Sequence, residues 1–214
     1  VTASALTGGN FNGSAFTRAT AMLLSGTNAA ETLTGGWGND TLDGRDGSDT
    51  LDGGPGNDRL QGGGNSDLYR FSLGFGQDTV ADNGWSPNST NDSIEFGVGL
   101  SLADLIVEQS TDGRSLILKF SGIDDRLTIA DTMVNADYRI ETIRFADGTS
   151  LNHNDLVQRS MQSTSGDNVF YGSYNDDVLT GGTGNDTLDG RDGSDTLDRS
   201  EEHTSELQSR QYLV

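Results

Sequence analysis

Residues 35–61 read GGWGNDTLD GRDGSDTLD GGPGNDRLQ, three nine-residue units in unbroken register. Their sixth positions are Asp40, Asp49 and Asp58, and their eighth are Leu42, Leu51 and Leu60. Outward from these, GTNAAETLT begins at Gly26 and GGGNSDLYR ends at Arg70. These flanking units place Glu31 and Asp67 sixth, and Leu33 and Tyr69 eighth. A second block, GSYNDDVLT GGTGNDTLD GRDGSDTLD, runs from Gly172 to Asp198 with Asp177, Asp186 and Asp195 sixth. Its eighth positions are Leu179, Leu188 and Leu197. The string GNDTLDGRDGSDTLD stands unchanged at 38–52 and at 184–198, so a long period overlies the short one. A flexible Gly/Asp linker has no reason to keep leucine at every eighth position, and the repeat is therefore structural.

Each position of the unit has a physical task. Glycines at positions 1, 2 and 4 permit a tight turn and let backbone carbonyls converge. The sixth-position acid ends that turn. Positions 7 to 9, such as Thr41-Leu42-Asp43, leave room for a three-residue strand whose middle side chain points inward. One unit cannot bury its leucine alone, so neighbours must stack into a solenoid. Stacking lays carboxylate upon carboxylate, which demands a counter-charge. A hard cation taking six to eight oxygen ligands supplies it, and oxygen-only donors favour calcium over zinc, copper or magnesium.

Composition agrees. The chain has 214 residues, 33 acidic and 13 basic side chains, a net charge of -20, 30 glycines and no cysteine. Asp outnumbers Glu by 26 to 7, and Lys119 is the single lysine. Asp with Gly favours turns and oxygen ligation over helix. The charge disfavours nucleic acid or an anionic membrane as partner. Absent cysteine excludes disulfides and thiolate chemistry. No apolar run is long enough for a transmembrane helix, and no signal peptide is visible. Low hydrophobicity with high charge would predict disorder unless something besides apolar burial pins the chain.

These nonamers resemble the GGxGxDxUx repeat of the haemolysin-type, or RTX, calcium-binding proteins. The resemblance implies an all-β fold: a right-handed parallel β-roll in which two nonamers make one coil. It also implies calcium between sixth-position acids two repeats apart: Glu31 with Asp49, Asp40 with Asp58, Asp49 with Asp67, and Asp177 with Asp195. Asp186 belongs to the same set. The expected carbonyl ligands are those of Gly35, Gly36, Gly38, Gly44, Gly47, Gly53, Gly54 and Gly56, and of Gly181, Gly182, Gly184, Gly190 and Gly193. The Glu31 site is expected to be weak or empty, because its unit lacks most turn glycines. Units GGGNSDLYR and GSYNDDVLT lack the position-4 glycine and match less well.

Residues 71–160 change character, with short β-branched or aromatic runs at Ser93–Phe96, Asp104–Val107, Leu116–Phe120, Leu127–Ile129 and Ile140–Phe145. Leu116, Leu118 and Phe120 should share one face. Asp112-Gly113 and Asp147-Gly148 mark turns, and Ser101 is placed to cap a single turn through Asp104. DLYRFSLGFGQDTV, LILKF and ETIRFADGTSL resemble the haemolysin-type calcium-binding-related domain, which brings no catalytic role with it. The division expected is 1–25 unassigned, 26–70 first roll block, 71–160 β-rich domain, 161–198 second roll block and 199–214 tail.

Catalytic motifs are missing: neither G-x-S-x-G nor H-E-x-x-H occurs, and His153 and His203 are the only histidines. His153 reads as an exposed residue of a polar loop, Asp124-Asp125 as a turn, and Trp37 and Trp85 as side chains packed over turns. The tail RSEEHTSELQSRQYLV from Arg199 to Val214 breaks the register and resembles translated sequencing adapter, so it is set aside as non-native, and the chain is expected to be a fragment. The function expected is a calcium-binding, non-enzymatic module of a secreted bacterial protein, folding on calcium outside the cell. Resemblance implies export by a type I secretion apparatus. Two alternatives stand: the calcium-dependent tail of a secreted protease, lipase or polysaccharide-modifying enzyme, or a repeat segment of a large adhesin with a cell-surface or polysaccharide target.

Overall fold

In the computed structural model the described residues are 11–12, 21–82, 91–162 and 165–199. Trp85, His203, most of segment 1–25 and the tail beyond Arg199 lie outside them. The chain forms two compact units, dividing after Met161.

Within the first unit, the nonamers produce the short strands their pattern requires. After β1 (Phe11–Asn12) and β2 (Leu23–Ser25), which precede the first nonamer, they are β3 (Thr32–Thr34), β4 (Thr41–Asp46), β5 (Thr50–Asp52), β6 (Arg59–Gly64) and β7 (Leu68–Phe71). Successive strands alternate between two sheets, and every pairing among them is parallel. Leu24 faces Leu42, which faces Leu60; Leu33 faces Leu51, which faces Tyr69. The coil therefore advances two units at a time, and Leu33, Leu42, Leu51, Leu60 and Tyr69 are completely buried. The residues on either side of Leu33, Leu42 and Leu51, threonine before and threonine or aspartate after, stay half-buried on the outer face.

The roll does not stop where the glycines thin out. β8 (Gln77–Val80) continues the second sheet beside β6, and β9 (Ser93–Phe96) continues the first beside β7, both in parallel. β12 (Arg126–Ile129) then adds to β8 and β13 (Thr142–Phe145) to β9, again in parallel. What changes is the loop length, and with it the chemistry of the interior. Phe71, Phe75, Phe96, Phe120 and Phe145 form a chain of ring contacts 5.0–5.8 Å apart. Phe71, Phe96 and Phe145 lie in register in the column where the repeats have their position-1 glycine, while Ile94 and Ile143 take the place of leucine. Burial of aromatic area can hold these coils together without an ion.

Four further elements close the end. β10 (Leu105–Gln109) and β11 (Leu116–Phe120) form an antiparallel hairpin at the edge of one sheet, turning through Gly113 with φ 67. Leu116, Leu118 and Phe120 share the buried face as their alternation predicts. β14 (Ser150–Asn152) pairs antiparallel with β13 at the edge of the other sheet, turning through Gly148. Helix α1 (His153–Ser160) packs on β10, β11 and β14 and so touches both sheets at the closing end. Asn152 and Asp155 make a reciprocal capping box at its start. This corrects the expectation of a polar loop with an exposed histidine: His153 is 4 % exposed, and burial, with the Arg139 charge, lowers its pKa to about 4. At Ser101 the turn forms, with the Asp104 N–H donating to the Ser101 carbonyl at 3.2 Å.

The second unit repeats the nonamer geometry. β15 (Val169–Tyr171) pairs in parallel with β17 (Thr187–Asp189), and β16 (Val178–Thr180) with β18 (Thr196–Asp198). Leu179 and Leu188 are buried, whereas Leu197, on the last coil, is 47 % exposed.

Candidate metal centre

The acids of the first unit are joined by a ladder along the roll axis. The backbone N–H of Glu31 donates to Asp49 Oδ1 at 2.8 Å, that of Asp40 to Asp58 Oδ1 at 2.7 Å and that of Asp49 to Asp67 Oδ1 at 2.7 Å. These are the pairs two repeats apart. One carboxylate oxygen thus satisfies the coil before it, and the other is left for a different task. Oδ2 of Asp49, Asp58 and Asp67 is buried with no hydrogen-bond partner.

The glycines show what surrounds that free oxygen. A Cβ built on Gly44 would lie closer than 3.0 Å to both Asp49 Oδ2 and the Gly62 carbonyl oxygen. The same holds at Gly35 for Asp40 Oδ2 and the Gly53 carbonyl. Position-1 glycine is therefore needed for space, to let a carboxylate and a carbonyl from the next coil converge. Position 2 is different: Gly54 has φ 84, and Arg45 is held at φ 76 in the equivalent place. Orphaned carboxylate oxygens beside convergent carbonyls, all oxygen and all buried, fit a calcium ion.

Electrostatics give the same result. Burial, opposed by the donated N–H and reinforced by the neighbouring acids, raises Asp49 to about 6, Asp58 to about 7 and Asp67 to about 8. Such shifts mark carboxylates that lack the charge partner they need. The five ion pairs among the described residues are elsewhere: Arg45–Asp43, Arg70–Glu95, Arg114–Asp131, Lys119–Glu108 and Arg139–Glu141.

Glu31 is built differently. Its carboxylate already accepts from the Thr27 N–H at 2.8 Å and from the Thr27 hydroxyl. Asp40 Oδ2 takes the Gly36 N–H at 2.8 Å, and Asp177 Oδ2 takes the Ser173 N–H at 2.6 Å. In the second unit Asp195 Oδ1 accepts from Asp177 N–H at 3.0 Å, and Asp186 Oδ1 from Asn168 N–H at 2.8 Å.

The ladder also recruits acids outside the nonamers. Asp58 N–H donates to Asp78 Oδ1, Asp67 N–H to Asp92 Oδ1 and Asp92 N–H to Glu141 Oε2, each at 2.7 Å. Burial pushes Asp78 up to about 8. The signal that finds these residues is a triplet of acid, small or polar residue and apolar residue. Asp78-Thr79-Val80, Asp92-Ser93-Ile94 and Glu141-Thr142-Ile143 repeat the pattern of Asp40-Thr41-Leu42 with no glycine turn to announce them. Asp125, expected merely in a turn, is buried and accepts the N–H groups of Gly74 at 2.6 Å and Gly76 at 3.0 Å. Trp37 is 58 % exposed, so it does not pack down over its turn as the sequence suggests. No catalytic constellation stands out among the described residues, and His153, the first residue of α1, is buried.

Fold and site together define a calcium-binding parallel β-roll. Residues 25–60, 34–69, 44–80 and 162–197 match the RTX calcium-binding nonapeptide repeat, and residues 116–155 match the haemolysin-type calcium binding protein related domain. The chain thus carries RTX nonapeptide repeats, which bind calcium ions, several per domain. No curated protein matches it. Among solved structures it is similar to the solution structure of the AlgE6R3 subunit from the Azotobacter vinelandii mannuronan C5-epimerase. That match is at 31 % identity over 54 % of this chain and 74 % of that chain, with a TM-score of 0.40.

Proposed function

We propose that this chain is the calcium-binding module of a secreted bacterial protein, and that its nonamer coils fold when they meet calcium outside the cell. The observation that supports this is the row of buried Oδ2 atoms at Asp49, Asp58 and Asp67 with no hydrogen-bond partner. Asp40, Asp177, Asp186 and Asp195 complete the set of carboxylate ligands, with turn glycine carbonyls beside them. Calcium supplies the counter-charge. In its absence the carboxylates repel and oppose stacking, which suits an extended chain in transit through a type I secretion apparatus. Extracellular modules have affinities of about 10⁻⁴–10⁻³ M, matched to calcium levels outside cells. A ligand that binds only the folded form stabilises it by about 2.7 kcal/mol per site at a hundredfold excess over Kd. In the proposed division, blocks 26–70 and 161–198 are the repeat blocks that carry the ions, and residues 71–160 form a base with an aromatic interior.

Far-UV circular dichroism during a calcium titration tests the proposal. The β signal should grow with calcium in the full chain, and no gain up to ~10 mM, above the affinity range of such modules, would sink it. The ligand register is checked by Asp49→Ala, which should lower calcium binding, against Asp43→Ala on the outer face, which should not. Equal loss from both would overturn the register.

A further inference from the structure

At the junction between the glycine-rich coils and the aromatic ones, three carboxylates meet. Ligand oxygens of Asp67, Asp82 and Asp92 all lie within 4.8 Å of one another, and the three residues are only 1–2 % exposed. Asp67 is the last sixth-position acid of the first block, whereas Asp82 and Asp92 belong to no nonamer.

The register explains how Asp82 arrives there. Position-1 residues stack along one sheet, with Asp43 paired to Gln61 and so Gly44 above Gly62. Leu60 pairs with Val80 on the next coil, which places Asp82 where the following position-1 glycine would stand. Ala81 N–H donates to the Leu60 carbonyl at 2.9 Å and holds this register up to the residue before Asp82. In the repeats a glycine here contributes a backbone carbonyl to the preceding cradle, as Gly62 does beneath Gly44. At the junction that place is taken by an aspartate, which brings a carboxylate to a position where the repeats offer only a backbone carbonyl.

A second observation points to a ligand. Oδ2 of Asp67 and Oδ2 of Asp82 are buried with no hydrogen-bond partner. Oδ1 of Asp67 is occupied by the Asp49 N–H at 2.7 Å and Oδ1 of Asp82 by the Gly63 N–H at 3.3 Å, so in each residue the second oxygen is the spare one. No lysine or arginine pairs with either residue among the described residues. The Tyr69 hydroxyl, which accepts the Gly62 N–H at 2.7 Å, borders the same cradle, because a Cβ on Gly62 would meet both it and Asp67 Oδ2.

We propose that Asp67, Asp82 and Asp92 form a calcium site distinct from those of the repeats, a three-carboxylate clamp that fastens the last nonamer coil to the aromatic base. The clamp rests on the calcium reading of the roll, and its oxygen-only, triply acidic donor set suits a hard cation held without much water. It also explains how the calcium-binding coils end on an aromatic base: the last turn of the block meets a carboxylate in place of a missing repeat.

Calcium stoichiometry, measured by equilibrium dialysis on the full chain, tests it. Asp82→Asn keeps the shape and the Gly63 contact, and should bind one ion fewer than the parent. Asp92→Asn, which keeps an oxygen for the Asp67 N–H, should lose the same ion. Thermal melting in EDTA guards against misfolding. Removing an uncompensated buried charge should leave the Asp82→Asn melting temperature equal to or above the parent's, whereas a merely structural Asp82 would lower it and overturn the clamp. Terbium serves as a second probe, with tyrosine-excited emission expected to fall in Asp82→Asn because Tyr69 borders the site. Unchanged stoichiometry and emission in Asp82→Asn, with calcium still bound by the parent, would refute the clamp alone. No calcium bound by the parent would refute the repeat reading itself.

Discussion

Asp58→Asn should change the sign of its effect with calcium. Asp58 is 2 % exposed, its Oδ1 accepts the Asp40 N–H at 2.7 Å, and its Oδ2 has no partner. Asparagine preserves the first contact and removes the charge. Burial, with Asp40 and Asp52 adding repulsion, raises the Asp58 pKa from 3.8 to about 7. A group whose pKa is raised by folding contributes stability that is full below its unfolded value and is lost as pH climbs through the folded one. The calcium-free roll should therefore be favoured near pH 4 and weaken steadily towards pH 7. The gap between the two values corresponds to about 4 kcal/mol, an upper limit on what the charged Asp58 costs at pH 8. In EDTA at pH 8, Asp58→Asn should be the more stable protein by up to that amount, and its pH dependence should be flatter. In saturating calcium the order should reverse, because the variant has lost a ligand. Circular dichroism melts at pH 8 and pH 4, with EDTA and with calcium, give the four comparisons. If the parent were the more stable one in EDTA at pH 8, the carboxylate would already be compensated, and the argument from its orphaned oxygen would fail.

Two further outcomes concern packing. Leu51→Ala, at a fully buried eighth position, should lower the stability of the calcium-loaded roll by about 2–5 kcal/mol in denaturant titrations. Leu197→Ala, at the 47 % exposed equivalent, should cost far less, and a similar loss from both would contradict the burial seen here. Gly44→Ala, where the backbone conformation is ordinary but a Cβ would crowd Asp49 Oδ2 and the Gly62 carbonyl, should reduce the calcium count in dialysis. An unchanged count would show that the cradle is not where the ion sits.

The nonamer strands were legible because their spacing is constant: one leucine and one acid every nine residues leave a single way to stack. The strands of residues 71–160 were legible as strands, from the alternation in Leu116–Phe120 and in Ser93–Phe96. Their partners were not. The step along the ladder lengthens from 18 residues to 20 at Asp78, 25 at Asp92 and 49 at Glu141, and no fixed period survives to predict parallel pairing across such gaps. Asp82 was hidden for a related reason. Its role comes from standing in a glycine's place on a neighbouring coil, which only the register reveals. His153 was misjudged because four polar neighbours suggest a loop, while the capping box of Asn152 and Asp155 and the following Leu156-Val157 encode a short helix.

The ladder of N–H groups and carboxylates has a direction. Each coil offers its amide to an aspartate that lies later in the chain, so the finish of one coil depends on the next having been laid down. The dependency runs one way and ends, in the first unit, on Asp78, Asp92 and Glu141, which are anchored in the aromatic coils closed by α1. That closed end is where the row of donated amides terminates, so the buried amide of each coil is satisfied only while the coil after it is in place. The loss is therefore one-sided: opening the first coil leaves every later amide with its carboxylate, whereas opening a late coil strips the amides of the coil before it.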